Sequence, residues 1–414
     1  MSREPKDGEE RLPRVLLVGP LPDPPLTGGV EKGVDMLLRS DLARRTQMTL
    51  FNNYRSRGTR RPLRSRLRYQ LGMLSAFRRE LRRRPVNLVH VKTSSGINFL
   101  QNSLYALMAR RSGLPVVLQM HGGMFEAFYQ ESASPVRSWI RHTLSSVDRV
   151  AVLSRGWADR IGRIAPRARF MVIPNGLEED EVNCLGGGRE ERREQVLFLG
   201  TGDPDLNFKK GLQDLLEVLP RLLRRYPAFT WVLAGLHDPL QVRSQIKESL
   251  EPGTGLGERV RALPLVSGKE RLALLKESSI LVMPSHYENM PNLMLEAMAA
   301  EMGIVASDVG AIQEMLSPPD GGLLTRAGDC IGLMSALDQL LGTPSLVSQQ
   351  GWRNRATVTR RYTLSIVERE LENVYRECTE HAIRRPSDHR NLESRNAKDG
   401  PPQTPSSMSR TVAK

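Results

Sequence analysis

The amino-acid sequence predicts an α/β protein made of two consecutive doubly wound, Rossmann-like domains that face a central cleft. Apolar runs of four to six residues alternate with amphipathic stretches along almost the whole chain. This strand–helix–strand order is typical of a parallel sheet with helices on both faces. A polar segment interrupts the alternation, which then starts again, and 414 residues are enough for two such cores.

The first series of elements forms the predicted N-terminal domain, over residues 14–177, after a charged extension at residues 1–13. Its apolar runs predict six strands, at Val15–Val18, Met48–Phe51, Asn87–Val91, Val116–Met120, Arg149–Leu153 and Phe170–Ile173. The amphipathic stretches between them predict helices at Val30–Leu42, Arg66–Arg83 and Asn98–Arg111.

A second domain is predicted over residues 195–360. We interpret the polar residues 178–194, which follow the turn Pro174-Asn175-Gly176 and contain three consecutive glycines, as the interdomain linker. The second domain's predicted elements are strands at Val196–Leu199, Trp231–Ala234, Val260–Leu263, Ile280–Met283 and Ile304–Ala306, with helices at Gly211–Arg224 and Asn292–Ala300. Ligands of such sheets bind beyond the carboxyl ends of the strands, so we expect the site in the cleft between the domains.

The end of the chain divides into a helix and a tail. Residues 365–383 have the pattern of one long helix. Residues 385–414 have almost no apolar content and several prolines, so we expect this tail to be disordered.

The composition restricts the setting in which the protein works. No apolar run approaches the roughly 20 residues that a membrane-spanning helix needs. The charged N-terminus shows no secretory signal, and three distant cysteines fit neither a disulfide framework nor a zinc site, so we expect a cytoplasmic protein. The net charge of +14 favours anionic partners, although an arginine-rich genome produces the same balance.

The segment from Ser285 to Glu296 combines two carboxylates with a predicted helix N-terminus. A helix begins after Pro291, because proline suits a first helical turn. Its free N–H groups and positive dipole end favour an anion such as a phosphate. Glu288 lies just before this helix and Glu296 about one turn inside it, where carboxylates accept hydrogen bonds from ribose or sugar hydroxyls. By spacing alone, a dipole-favouring acid and a solvated helix acid explain the pattern equally well.

The sequence YENMPNLMLEAMA, followed by VASDVGAIQEML, resembles the donor-binding segment of the retaining glycosyltransferase family 4, also called glycosyl transferases group 1. That family has two glutamates separated by seven residues, and Glu288 and Glu296 match both. The resemblance covers roughly residues 14–380. It implies the GT-B fold, with a C-terminal helix at residues 361–384 that braces the N-terminal domain. It also implies hexosyl transfer, with retention, from a UDP- or GDP-sugar to a glycan or lipid-linked acceptor in polysaccharide or glycolipid biosynthesis.

Other motifs of the family occur in the same order. Gly28 and Gly29 resemble its glycine-rich N-terminal loop, where glycines let the backbone approach the donor closely. His121 resembles its active-site histidine, and Lys210 with Gly211 resembles the lysine–glycine pair that binds the donor diphosphate. Outside the family context, a glycine pair is a simple turn and a lone histidine is more often structural.

One departure from the family bears on the chemistry. Thr201 stands where the family has a second diphosphate-binding cation, an arginine, and the loop that follows is longer. We expect Lys209 to share that role, because a cation there neutralises the charge that develops on the leaving phosphate. The departure keeps an alternative open: a catalytically inactive GT-B-like protein, or a basic adaptor for membrane or nucleic acid.

The resemblance implies the following site. His121 and Glu288 are the expected catalytic residues. The expected donor-binding residues are Gly28, Gly29, Lys209, Lys210, Asn289, Met290, Pro291, Asn292, Leu293 and Glu296. The nucleotide sugar is a substrate, and no metal or other cofactor is expected, because Asp203-Pro204-Asp205 lies in a predicted loop and the seven histidines lack metal-ligand spacing.

A basic segment, Arg55–Arg84, contains twelve arginines and is a second expected contact surface. Its leucines fall near one helix face, so the arginine face could contact an anionic membrane. A core-facing leucine stripe with a solvated arginine face explains the same pattern. No nucleic-acid contact is expected, because the segment lacks the regular interleaving of aromatic residues that stacks on bases.

Overall fold

The computed structural model describes residues 12–21, 29–54, 63–187, 193–318 and 320–383, and it confirms the two-domain α/β architecture. Twelve strands in these ranges form two six-stranded sheets. Every strand pair is parallel.

The first sheet has the strand order β2-β1-β3-β4-β5-β6. Its strands are β1 (Val15–Gly19), β2 (Thr49–Asn52), β3 (Leu88–Thr93), β4 (Val116–Met120), β5 (Arg149–Val152) and β6 (Phe170–Val172). The helices along this part of the chain are α1 (Gly29–Arg39), α2 (Asp41–Arg45), α3 (Leu63–Arg83), α4 (Ile97–Arg111), α5 (Phe125–Glu131), α6 (Ser134–Ser146) and α7 (Arg155–Ile164).

The second sheet has the strand order β12-β11-β10-β7-β8-β9. Its strands are β7 (Arg193–Leu199), β8 (Thr230–Ala234), β9 (Val260–Ala262), β10 (Ser278–Met283), β11 (Gly303–Ser307) and β12 (Leu323–Thr325). The helices are α8 (Glu179–Leu185), α9 (Pro204–Lys209), α10 (Leu212–Arg225), α11 (Pro239–Glu248), α12 (Gly268–Glu277), α13 (Asn292–Ala299), α14 (Ile312–Leu316), α15 (Cys330–Leu341), α16 (Pro344–Arg361) and α17 (Leu364–Ile383).

Each sheet has a hydrophobic core on both faces, because alternate strand residues point to opposite sides. In β1, Leu16 and Val18 belong to one buried cluster and Val15 and Leu17 to another. The same alternation in β7 places its apolar side chains in two further clusters. The strands therefore appear in the sequence as continuous apolar runs, as expected of parallel sheets covered on both faces.

The predicted strands of both sheets are present, and one strand escaped prediction. Strand β12 has only three residues at a sheet edge, too few for a recognisable apolar run. The predicted single helix Val30–Leu42 is wrong, since α1 ends at Arg39 and α2 begins at Asp41. Ser40 causes the break: its backbone is extended, and its hydroxyl accepts a hydrogen bond from the N–H of Ala43, which caps α2.

The segment interpreted as a linker is more ordered than its polar composition indicates. It contains α8, whose Val182 and Leu185 are buried in the core cluster that also includes Leu295 of α13. This part of the segment therefore packs against the second domain and does not run free between the domains.

The chain passes between the two domains twice, side by side. The Leu177 N–H donates to the Tyr362 carbonyl at 2.9 Å, and the Leu364 N–H donates to the Leu177 carbonyl at 2.7 Å. Beyond this point α17 packs against the first sheet, where the hydroxyl of Tyr375 and Nδ1 of His90 are 2.7 Å apart. The last described helix thus contributes to the core of the first domain.

Some sequence predictions lie outside the described residues. They concern Gly28, residues 55–62 of the basic segment, the start of the charged extension and the tail 385–414. Within the described ranges, no single helix is both long and apolar enough to cross a membrane. Helices α15 and α16 pass that test only as a pair, which is bent by 96°.

Candidate functional site

The order of strands defines one switch point in each sheet. The chain changes direction between β1 and β3 in the first sheet, and between β7 and β10 in the second. Ligands of doubly wound sheets bind at such points, outside the carboxyl ends of the strands. Lys210 follows β7, and Glu288 follows β10. Both therefore belong to the switch point of the second sheet.

Helix α10 begins directly against the end of β10. Its first flanking residue, Gly211, has φ of 74°, and a Cβ there would lie 1.9 Å from the Pro284 carbonyl oxygen. Only glycine fits this approach. The contact brings Lys210 to the loop after β10, where its ammonium forms an ion pair with the Glu288 carboxylate. The two side chains are 25% and 10% exposed, so a ligand reaches a charged pair that is already largely desolvated.

Helix α13 presents an uncapped N-terminus next to this loop. Its N-cap residue, Pro291, makes no side-chain capping bond. The backbone N–H groups of Asn292 and Leu293 have no intrahelical acceptor, because they lie in the first turn. Amide donors and the positive end of the helix dipole favour an anion at this position.

Glu296 lies one turn inside α13, with only 3% of its side chain exposed. Its carboxylate forms an ion pair with Arg271 of α12. Burial raises the pKa of the neighbouring Glu181, and the negative charge of Glu296 raises it further. A buried carboxylate held by an arginine is a strong acceptor of hydrogen bonds from hydroxyl groups.

The loop after β4 contacts the loop after β10 across the domain interface. A Cβ on Gly123 would lie 2.7 Å from the backbone carbonyl carbon of Glu288 and 2.8 Å from its oxygen. The two backbones are therefore in direct contact. His121 begins the same loop, and its N–H donates to the Thr93 carbonyl at 2.8 Å. The residues expected to be catalytic, His121 and Glu288, thus belong to two loops that touch.

His121 is neutral in these surroundings. Its pKa is lowered well below 6.5, first by burial and then by the positive charge of Lys92, with a smaller contribution from His90. Its Nε2 atom is buried and has no hydrogen-bond partner among the described residues. A neutral imidazole with an available ring nitrogen can form a hydrogen bond with a sugar hydroxyl.

The loop after β7 contains helix α9, which the sequence did not predict. The Thr201 N–H donates to Oδ1 of the buried Asn207 at 2.7 Å, and the Asn207 amide donates to the Gly235 carbonyl. Asp203 caps α9, since its carboxylate accepts from the N–H of Leu206 at 3.1 Å. Helix capping accounts for the first acid of the Asp203-Pro204-Asp205 motif.

The other expected donor-binding glycine and lysine occupy different positions. Gly29 is exposed at the start of α1, with nothing near the position of a Cβ. Lys209 ends α9, and its carbonyl accepts from the His286 N–H at 2.8 Å, which ties α9 to the loop after β10. Imidazole Nε2 of His286 lies 2.7 Å from a carboxylate oxygen of Asp214 in α10, which fixes the same loop again.

The residues between the two glutamates are held mainly by their backbones. The Asn289 carbonyl accepts from the Ala311 N–H at 2.7 Å, and Gly310, at φ 65°, packs against the same peptide. Met290 is 4% exposed, and its carbonyl accepts from the Asn175 amide at 2.8 Å. The side chain of Met290 is therefore a core residue, whereas Asn289 keeps a buried Oδ1 without a partner among the described residues.

Glu314 forms an interdomain contact that the sequence did not indicate. Its carboxylate accepts from the N–H groups of Arg155 at 3.0 Å and Gly156 at 2.7 Å, at the N-terminus of α7. Arg160 of the same helix donates to the Gly310 carbonyl at 3.2 Å. These bonds attach α7 of the first domain to the turn that supports the Glu288 loop.

Sequence reasoning missed three charged residues near this site: Lys92, Arg271 and Glu314. Each of them contacts a residue on another element of the fold. Arg271 of α12, for example, forms an ion pair with Glu296 of α13. Spacing along the chain carries no signal for such contacts, because the partners are brought together only by the packing of helices and loops.

Comparisons with known proteins agree with this arrangement. Residues 27–181 match the family model described as Glycosyltransferase Family 4, and residues 193–343 match Glycosyl transferases group 1. A phosphatidyl-myo-inositol mannosyltransferase of Mycobacterium leprae is 30% identical over 235 residues, which are 55% of this chain. The match spans 59% of that relative's own length.

Solved structures share the fold over most of the chain. A sucrose-phosphate synthase from Thermosynechococcus elongatus has a TM-score of 0.66 at 18% identity, covering 88% of this chain and 98% of that one. Alr3699/HepE from Anabaena, solved in complex with UDP, has a TM-score of 0.65 at 15% identity, covering 88% and 100%. At these identities the likeness shows a common two-domain architecture.

Proposed function

Because this chain belongs to glycosyltransferase family 4 and has the GT-B fold, we propose that it transfers a hexose from a UDP- or GDP-sugar to an acceptor. The acceptor is a glycan or a lipid-linked saccharide, the anomeric configuration is retained, and the product enters polysaccharide or glycolipid biosynthesis. One observation carries the proposal: the backbones of Gly123 and Glu288 touch. This contact places the loop that begins at His121 against the loop that contains Glu288, and a reactive donor bound between the two loops would be shielded from water.

The donor diphosphate is assigned to the N-terminus of α13, next to Lys210. Leaving of the diphosphate breaks the bond between the anomeric carbon and a phosphate oxygen, so negative charge grows on that oxygen. The Lys210 ammonium and the amides of Asn292 and Leu293 are positioned to stabilise this charge. We propose that these groups replace a metal ion in neutralising the diphosphate.

The ribose and the transferred sugar are assigned to the two glutamates. Glu296 is held by Arg271 and accepts hydrogen bonds from the ribose hydroxyls. Glu288 contacts the donor sugar, and Lys210 holds its carboxylate in place. His121, which is neutral, bonds a sugar hydroxyl at the reacting centre. Gly29, at the start of α1, covers the donor from the other domain.

The acceptor and the location are proposed from the basic surface. In α3, Phe77 and Leu81 are buried in the core, while Arg78, Arg79 and Arg82 are exposed on the other side. This exposed arginine face supports a peripheral contact with anionic lipid at the cytoplasmic side of a membrane. A lipid acceptor agrees with such a contact, and the Mycobacterium leprae relative is a phosphatidyl-myo-inositol mannosyltransferase.

A second candidate function is an inactive GT-B-like adaptor. The observation in its favour is Thr201, which is bonded to Asn207 and offers the diphosphate no cation. An adaptor of this kind would bind anionic lipid or RNA with a steep salt dependence and would ignore nucleotide sugars.

The test uses the full chain with UDP, GDP and their hexose conjugates, read by thermal shift and by hydrolysis of the sugar. We expect a UDP- or GDP-sugar to raise the melting temperature, since a ligand that binds only the native state stabilises it. The variants Glu288→Gln and His121→Ala should lose transfer. Glu258→Gln is the matched control, because Glu258 is exposed and pairs with Arg243 and Lys247.

Two results would contradict the proposal. Failure of every UDP- and GDP-hexose to stabilise or to be hydrolysed would favour the inactive adaptor. Retention of full transfer in Glu288→Gln would show that this carboxylate does not contact the reacting sugar.

A further inference from the structure

Lys92, near the carboxyl end of β3, is a buried lysine without a described carboxylate partner. It is 5% exposed, and its ammonium donates to the Gly33 carbonyl of α1 at 3.0 Å. A Cβ on Gly33 would lie only 3.3 Å from the ammonium, so the glycine provides the space. Among the described residues no carboxylate forms an ion pair with Lys92, and burial lowers its pKa to about 7.

Among the described residues, no carboxylate charge shifts the pKa of Lys92, and its titratable neighbours on the sheet and on α17 are two histidines and a tyrosine. His121 follows β4, His90 lies two residues earlier in β3, and Tyr375 of α17 is bonded to His90. The charge of Lys92 contributes to lowering the pKa of both histidines. Burial raises the pKa of Tyr375, so its phenol stays protonated. A desolvated ammonium that has no carboxylate partner among the described residues is unfavourable unless an anion joins it.

The position of Lys92 is that of a ligand-binding residue. It lies at the switch point between β1 and β3, where Gly19 ends β1 and a Cβ on Gly19 would be 3.8 Å from the Lys92 Cβ. Helix α1 is the next described element after β1, so its N-terminus lies on the side of the sheet where the strands have their carboxyl ends. The unpartnered Nε2 of His121 belongs to the next strand end. One buried cation, one helix terminus and one ring nitrogen thus come from three neighbouring elements.

We propose that Lys92 is the cation of a phosphate subsite in the N-terminal domain, formed with the start of α1 and His121. The subsite takes a phosphate or diphosphate group of a substrate, and this assignment rests on the proposed glycosyl transfer for the identity of that substrate. The group has two sources with the same chemistry, the donor diphosphate and a phosphate on a lipid-linked acceptor. In both cases it gives the buried ammonium its missing counter-charge.

The two possible roles of Lys92, stabilising the fold or binding a ligand, predict different melting temperatures for a variant without the charge. Lys92→Met keeps an unbranched side chain, one atom shorter than that of lysine, and removes the charge. If the bond to Gly33 matters for stability, the variant melts at a lower temperature. If the role of Lys92 is to bind an anion, the unliganded variant melts at the same temperature as the unliganded wild type or at a higher one, because the variant has lost an uncompensated buried charge.

The experiment is isothermal titration of the full chain with uridine, UDP, sodium pyrophosphate and geranyl phosphate. Lys92→Met is compared with wild type and with Lys247→Met, an exposed lysine paired with Glu258. We expect Lys92→Met to weaken pyrophosphate about 10-fold or more, with uridine unchanged. A parallel loss for UDP assigns the subsite to the donor, and a loss for geranyl phosphate assigns it to the acceptor. Unchanged affinity for all three phosphate probes overturns the inference.

A second readout is the proton taken up on binding. At pH 8 most of Lys92 is neutral, since its pKa is about 7, and a bound phosphate favours the charged form. Titrations in two buffers of different ionisation enthalpy should show proton uptake in wild type and in Lys247→Met, but not in Lys92→Met. Equal uptake in all three proteins contradicts the subsite.

The two proposals fail in different ways. If wild type binds neither UDP nor GDP and hydrolyses no sugar nucleotide, the proposed transferase is wrong. Pyrophosphate binding that depends on Lys92 would still support the subsite. If UDP binds and Lys92→Met changes no phosphate affinity, the transferase stands and the subsite is wrong.

Discussion

The ion pair between Lys210 and Glu288 allows the energetics of the site to be measured. Lys210→Met leaves a carboxylate that is 10% exposed without its cation. Breaking a fully buried pair costs about 3–5 kcal/mol and exposed pairs contribute about 0–1 kcal/mol, so this intermediate pair should lose about 2 kcal/mol. Glu288→Gln leaves a lysine that is 25% exposed and better hydrated, and should cost about 1 kcal/mol.

The double variant separates stability from binding. With both charges removed, the loss should be about 1–2 kcal/mol smaller than the sum of the two single losses. Affinity for UDP should behave differently, because Lys210→Met removes the proposed charge-assisted contact to the diphosphate, which is expected to contribute about 1.5–3 kcal/mol. We therefore expect roughly 10- to 100-fold weaker UDP binding in Lys210→Met and no recovery in the double variant.

The assay is urea unfolding of the four proteins by circular dichroism, combined with calorimetric titration of UDP. A coupling energy within ~0.3 kcal/mol of zero would refute the energetic reasoning, because it would show that the pair is fully solvated. Recovery of UDP affinity in the double variant would refute the assignment of Lys210 to the diphosphate.

Three further predictions concern other parts of the molecule. Burial lowers the pKa of His90 to about 3, whereas the unfolded chain has an ordinary histidine pKa of about 6.5. The unfolded chain therefore binds the extra proton as pH falls, and the free energy of unfolding should decrease by about 1.6 kcal/mol between pH 6.5 and 5. Urea unfolding of His90→Leu across this range should show a flatter pH dependence, and an unchanged slope would contradict the cause. Glu314→Gln replaces one of the two carboxylate oxygens that accept hydrogen bonds from α7, and this weakens the contact between the domains. Small-angle scattering should therefore show a larger radius of gyration, and transfer should slow. Equal scattering curves would show that the contact does not hold the domains together. In the proposed site Lys210 and helix amides neutralise the diphosphate, so transfer should persist in EDTA. Rescue of lost activity by Mg²⁺ or Mn²⁺ would contradict this prediction.

Much of the fold is predictable from the sequence because both sheets are parallel and buried on both faces. Strands such as Val116–Met120 are fully buried, and their apolar runs mark them clearly. Two of the elements that were not predicted lack this signal. Strand β12 is three residues long at an edge, and α9 depends on a cap by Asp203 within a polar loop. Ser40 divides a continuous helical pattern through one local hydrogen bond.

The predicted site residues differ in how far the sequence defines them. Glu288 lies just before a helix start that the sequence predicts, and Glu296 lies inside that helix. The structure shows that each carboxylate has a basic partner. Gly211 is recognisable as a helix-opening glycine, but only the structure shows that a Cβ at this position would lie 1.9 Å from the Pro284 carbonyl oxygen. Met290 was grouped with the donor-binding residues, and only burial shows its side chain to be part of the core.

The sequence by itself determined the two-domain α/β class, the positions of eleven strands along the chain and the segment that joins Glu288 to Glu296, because these depend on periodicity and local turn chemistry. Only the tertiary structure decided which charges meet: Lys210 with Glu288, Arg271 with Glu296, and Lys92 with no described carboxylate. The physical reason is that hydrophobic periodicity is a local property of the chain. The electrostatics of a buried group depend on every element packed around it.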